Sequence, residues 1–298
     1  MTLTPVLRWS YYNRKPTTDN NDKFGLASRS DSKVTPGITL TLSPSKQLSF
    51  YASVQTGYRP PFLDELYTSI EYPEFGMYSV VLPNPDLKPE ESINVEIGVN
   101  GDYKSLFSDS DRFVFHANVF RDRVKNLINA GATGDMDFTD DGDMILYYSI
   151  DNVGKALKTG FEASADYYPG NADFHLSYGY LHAEDKNTGE KIPGLTPMQA
   201  TLRAGYTYKP WNVNGWYRMR LFKGGKSNLE TAWNSGEYKQ LGGFATHTLG
   251  LTWKPQIKDW ADFTLTFSVD NITNKKFRYL NGGYGVGRSY RAWLSATF

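Results

Sequence analysis

The sequence predicts an all-β chain: an antiparallel up-and-down transmembrane β-barrel of about twelve strands, with short periplasmic turns and long extracellular loops. Three observations predict it. Apolar and polar residues alternate with period two along most of the chain, the mark of a strand with two unlike faces. The connections between these runs alternate between short and long. Tyr and Trp gather at the run ends, at Trp9, Tyr11, Tyr12, Tyr167, Tyr168, Tyr206, Tyr208, Trp211, Trp253 and Trp260, where the aromatic girdles of a membrane barrel lie.

Runs begin near residues 2, 33, 46, 91, 111, 145, 172, 198, 212, 243, 260 and 288. In "QLSFYASVQTG", Leu48, Phe50, Ala52 and Val54 oppose Ser49, Tyr51, Ser53 and Gln55. "SINVEIGVN" sets Ile93, Val95, Ile97 and Val99 against Asn94, Glu96, Gly98 and Asn100. "RFVFHANVFRD" and "GFEASADYY" continue the scheme, with Phe115, Ala117 and Val119 on one face and His116, Asn118 and Glu162 on the other. "ATLRAGYTY" and "HTLGLTW" come next, and "DFTLTFSVDN" sets Phe263, Leu265, Phe267 and Val269 against Thr264, Thr266 and Ser268. The chain ends on "RSYRAWLSATF", where Tyr290, Leu294 and Phe298 share a face. Many of these runs reach ten residues, about the length that spans a bilayer when tilted and longer than the usual five- or six-residue soluble strand.

Short turns are expected at 43–46, 168–172, 209–212 and 254–260, and long polar connections at 13–32, 58–90, 129–144, 183–197, 224–242 and 271–287. The polar face carries Gly, Ser, Thr, Asn, Glu, Asp and Arg, too wet for a packed core; the apolar face is therefore expected to meet lipid. One barrel domain is expected over 1–298, with no plug domain. The opening "MTLTPVLRWSYYNRKP" lacks a basic segment followed by an apolar one, so a chain working outside the cytoplasm would be a mature form or a fragment.

The composition excludes several classes. Formal net charge is zero, so no global field argues for nucleic acid. The absence of Cys rules out disulfides, thiolate metal sites and Cys nucleophiles. No apolar run approaches a transmembrane helix. The acidic stretch "DMDFTDDGD" at 135–143 has Tyr148 where a calcium loop needs its bidentate acid, so solvated charge is expected. "GGYGVG" at 282–287 lacks the strand-to-helix setting of a phosphate cradle. No catalytic constellation and no metal site is expected, so the chain reads as a non-enzyme.

Two motifs are distinctive: "YRPPFLDELY" at 58–67 and "NPDLKPEESINVEIG" at 84–98. They resemble the paired boxes of TonB-dependent outer-membrane receptors, particularly the haem and haemophore group, and "YYSIDNVGKALKTGFEASADYY" and "FSVDNITNKKFRYL" are similar to that family too. The resemblance spans nearly the whole chain and matches the C-terminal half of such a receptor. It implies an outer-membrane location, uptake of haem or a ferric siderophore as the transported ligand, no intrinsic cofactor, an energy-transducing TonB complex and a plug domain as partners, and a haemophore or haemoglobin as haem carrier. The plug and first strands are not visible in the sequence, leaving a fragment or a shortened barrel as alternatives, and a passive pore as a rival function. The haem group usually carries a His between the two boxes; residues 62–83 hold none and offer Tyr67, Tyr72 and Tyr78 instead. Tyr can ligate haem iron.

The resemblance makes Tyr58, Arg59, Tyr67, Tyr72, Tyr78 and Asn84 the candidate ligand-binding loop; His182, at the outer end of its strand, joins them. Glu96 and Glu162, on the polar parity, would contact the arginines of a plug or else be solvated lumenal carboxylates. Arg203, Arg218, Arg220 and Arg291 share that parity and would either attract an anionic ligand or neutralise lumenal acids. Phe298, terminal and on the apolar parity, resembles the assembly signal of outer-membrane barrels.

Overall fold

In the computed structural model, residues 1–15, 27–74, 77–231, 237–255 and 261–297 are described. Phe298, the expected assembly signal, and Trp260 lie outside them, as does the side chain of Tyr72. The elements in chain order are β1 (Thr2–Arg14), β2 (Arg29–Leu42), β3 (Leu48–Arg59), helix α1 (Leu63–Tyr67), β4 (Ile70–Glu74), β5 (Met77–Leu82), β6 (Glu90–Lys104), β7 (Asp111–Phe138), β8 (Met144–Pro169), β9 (Ala172–Asp185), β10 (Met198–Tyr208), β11 (Val213–Phe222), β12 (Gly225–Glu230), β13 (Tyr238–Leu241), β14 (Phe244–Trp253), β15 (Asp262–Asp270) and β16 (Ser289–Thr297).

Twelve of these strands form one meander in the order β1-β2-β3-β6-β7-β8-β9-β10-β11-β14-β15-β16, and all eleven neighbouring pairs along it are antiparallel. The expected alternation explains the register. Leu265 faces Leu294 and Trp253; Phe267 faces Ala292 and Leu251; Val269 faces Tyr290 and Leu249. Directly opposed residues share a face, so one apolar face runs across the sheet. Its residues are open, with Leu265, Phe267, Leu294 and Ile97 all among the exposed large apolar side chains. No second sheet covers them among the described residues. An apolar face this wide and this bare is what a lipid-facing sheet requires.

Three features depart from the expectation. β1 and β16 are not paired with each other among the described residues, so the sheet is open rather than closed into a ring. Second, the polar stretch 129–144 is not a long loop. β7 and β8 run on through it for 28 and 26 residues, leaving only the turn 139–143. Register shifts at Lys125/Leu127, Leu127/Ile128 and Ala132/Met136 break the period-two pattern there: the first two each insert one extra residue and flip the parity beyond it, and the third inserts two. Third, the 58–90 segment has structure of its own: α1, and a β4–β5 hairpin whose β5 pairs with β8 in parallel, Tyr78 opposite Ile145. The short turns fall on one end of the meander, between β2 and β3, β6 and β7, β8 and β9, and β10 and β11; the long connections fall on the other.

Candidate functional site

The two boxes fold against each other at the long-connection end. Arg59, the last residue of β3, forks onto Glu65 at 2.9 Å from one guanidinium nitrogen and onto Glu90 at 2.6 Å from another. Glu65 in turn accepts the Phe62 N–H at 2.7 Å, closing the first turn of α1. Glu90 accepts the Ile128 N–H at 2.9 Å, tying the clamp to β7. Burial pushes the Glu90 carboxyl up, but the Arg59 hydrogen bond and the Ile128 N–H outweigh it and hold it below the usual range. The same bond to Glu90 raises Arg59 further above its already high value.

The second box is pinned as firmly. Asn84 donates to the Ile150 carbonyl at 2.9 Å and to Asp151 at 2.6 Å. Asn152 accepts the Lys88 N–H at 2.7 Å and donates to the carbonyls of Lys88 at 2.8 Å and Asn126 at 2.9 Å. Between the boxes Leu66, Leu87 and Ile128 form a small buried apolar cluster, with Tyr67 and Ile150 packed against it. Leu66 and Pro61 are fully buried.

These contacts sort the expected site residues. Arg59 and Asn84 spend their polar atoms on the scaffold. The Tyr67 hydroxyl donates to the Ala27 carbonyl at 2.9 Å. Tyr58 is half-buried, its ring 6.3 Å from that of Tyr12. Tyr78 sits in β5, half-buried, and its hydroxyl has no hydrogen-bond partner among the described residues. His182 stands apart: its strand parity is that of Tyr180, on the apolar face, and its ring lies 3.3 Å from Glu184.

Glu96 and Glu162 lie on the polar face. Tyr51 and Asn118 both donate to Glu96, Asn118 at 2.9 Å, and Asn118 sits directly opposite Glu162 in the ladder. Gly98 makes room for this arrangement; a Cβ there would come 2.5 Å from the Tyr51 ring. Glu162 is exposed and has no hydrogen-bond or ion-pair partner among the described residues.

Three of the four arginines on this face are neutralised. Arg203 pairs with Asp173; Arg218 and Arg291 reach Asp270 at 3.2 and 2.8 Å. Arg220 has no acid partner among the described residues and lies over the Phe222 ring at 5.0 Å. Phe222 stacks on Phe244 at 4.8 Å, Phe244 on Phe277 at 4.1 Å, and Tyr279 closes the group edge-on. This cluster is not legible in the sequence. Phe222 and Phe244 face each other across β11 and β14, while Phe277 and Tyr279 come from a connection whose path no periodicity reveals.

With this geometry, comparison with known proteins is decisive for the family. The model for "TonB dependent receptor-like, beta-barrel" matches residues 1–272. The chain belongs to that family. Among relatives, this TonB-dependent receptor barrel is 24% identical over 292 residues to the heme/hemopexin utilization protein C of Haemophilus influenzae, covering 93% of this chain and 38% of the relative. It is 27% identical over 260 residues to the hemoglobin and hemoglobin-haptoglobin-binding protein A of Haemophilus influenzae, covering 80% of this chain and 22% of the relative. A mutant of the ferric enterobactin receptor from Pseudomonas aeruginosa shares the fold, with a TM-score of 0.71 at 20% identity, over 99% of this chain and 42% of that one. The TonB-dependent receptor barrel thus spans well under half the length of the proteins it matches.

Proposed function

We propose that this barrel serves the TonB-dependent uptake of haem, delivered by a haem-carrying protein, across a bacterial outer membrane. In this reading the apolar face meets lipid and the polar face lines the lumen. A plug seated in that lumen would meet the free carboxylate of Glu162 and the hydrogen-bonded Glu96, and coupling to TonB would move it. Phe298 would act in assembly, as a terminal aromatic on the apolar parity. The chemistry asked of the barrel is binding and gating, not catalysis.

The observation that carries the haem reading is Tyr78: a phenol without a hydrogen-bond partner among the described residues, on a strand paired with β8, in the segment between the two boxes. The names of the Haemophilus influenzae relatives support it. A ferric siderophore is the second reading, supported by the likeness to the enterobactin receptor and by Arg220, whose charge meets no acid among the described residues and suits an anionic ligand. Haem titration of the whole natural protein tests both. Weaker binding with an altered absorption spectrum after Tyr78→Phe supports ligation by the phenol oxygen. An unchanged spectrum rules out ligation by Tyr78, and no haem binding by the unaltered protein moves the assignment to a siderophore.

A further inference from the structure

At the long-connection end, β9, the 186–197 connection and the segment after β11 enclose a cavity of about 450 Å³. Its lining includes Tyr180, His182, Lys191, Leu195, Lys223 and Lys226. The ladder places several of these lining residues on the apolar face, while Leu181 and Ala183, which also line the cavity, have the opposite parity. Tyr180 opposes Met198, and the Lys223 N–H donates to the Met198 carbonyl at 2.9 Å, continuing the β10–β11 pairing by one rung. Tyr180, Met198 and Lys223 therefore share the apolar face. His182 is two residues further along β9 on the same parity, and Lys191 bridges Glu184, the next residue of that parity. Directly beneath lies the row Tyr178, Ala200 and Leu221, the top of the apolar band.

The acids nearby are already committed. Glu184 holds His182 and, at 2.8 Å, Lys186; Glu190 takes Lys226 at 3.1 Å. Lys191 and Lys223 are exposed and have no acid partner among the described residues. Two unneutralised ammonium groups thus sit on the apolar face where its apolar surface ends, with Tyr180 and Leu195, both exposed, beside them. Lysines at such a border reach for the polar layer of a bilayer, and basic pockets there attract anionic headgroups.

We propose that this cavity holds the phosphate of an anionic lipid headgroup, Lys191 and Lys223 supplying the charge and Tyr180 and Leu195 the surface for the first carbons of its chains. The inference rests on the reading of the apolar face as lipid-facing. A ligand bound for the lumen would meet the opposite face, so the site is separate from uptake.

The test uses the whole natural protein in a non-ionic detergent, titrated calorimetrically with three probes: short-chain phosphatidic acid, phosphatidylcholine of the same chains, and inorganic phosphate. Phosphatidic acid is expected to bind at least tenfold more tightly than the other two. The pair Lys191→Gln with Lys223→Gln should remove that preference, and Lys191→Arg with Lys223→Arg should keep it while showing that the fold tolerates change there. A preference that survives the Gln pair overturns the proposal. Inorganic phosphate binding as tightly as phosphatidic acid, and lost in the Gln pair, makes this a free-phosphate site and overturns the lipid assignment. Insertion into phosphatidylcholine vesicles is measured alongside: failure to insert defeats the lipid-facing reading itself, whereas insertion without phosphatidic acid preference defeats only the headgroup site.

Discussion

Single side chains in this barrel have roles that depend on which face they occupy. Leu265 lies mid-strand on the apolar face, opposite Leu294 and Trp253. Leu265→Arg is expected to destabilise the folded protein in a bilayer by about 2–4 kcal/mol, read by denaturant titration in liposomes; a neutral result would count against lipid contact. Glu90 offers a pH test. Its folded pKa lies below the ordinary value, so its contribution to stability is present above the unfolded pKa of about 4.3 and is lost as pH falls through the folded pKa. The Arg59 clamp should therefore hold at neutral pH and loosen in acid. Protease protection of α1 should fall as pH drops below about 4.3, and Glu90→Gln should flatten that dependence.

At the scale of elements, the 58–90 segment is a built platform rather than a strap. Its buried core is small, so each member counts. Leu66 is fully buried, and Leu66→Ala should cost about 2–5 kcal/mol of the platform's local stability. Hydrogen exchange in α1 and β5 should rise while the amides of β14 and β15 keep their protection; a uniform loss would mean the platform and the barrel wall unfold together. The strands themselves were legible, because twelve runs of alternation correspond to the twelve strands of the meander. The extensions of β7 and β8 were not, since three register shifts scramble the parity a reader follows. The boxes stood out as motifs, yet the roles of Arg59 and Asn84 did not. Their partners Glu90 and Asp151 lie 31 and 67 residues away, a separation that only the fold closes. His182 was expected beside the ligand-binding loop from its place at the strand end, and its position two residues after Tyr180 sets it on the apolar face.

For the whole molecule, the open sheet matters most. β1 and β16 each present a row of backbone N–H and C=O groups without partners among the described residues, and in lipid such groups are costly to leave unpaired. The 298-residue chain refolded by itself in detergent should therefore form oligomers through these edges, not a heat-resistant monomer. A monomeric band that conducts ions in planar bilayers would show that the edges meet and would favour a passive pore. Deleting Phe298 from the whole natural protein should lower its insertion in cells while refolding in detergent survives; normal insertion would end its role as an assembly signal.

The parallel pairing of β5 with β8 also has a temporal consequence. Tyr78 and Ile145 become neighbours across 67 positions of chain, and such distant contacts form late, after the loop between them has closed. The segment that presents Tyr78 cannot take its final form until β6, β7 and β8 have paired, so a chain halted before residue 144 would lack the strand that β5 pairs with and the Ile150 and Asp151 that pin Asn84. Refolding followed by stopped-flow hydrogen exchange should show β14 and β15 protected before β5, and Asn152→Ala, which removes the bonds to Lys88 and Asn126, should slow the second event and leave the first at its original rate.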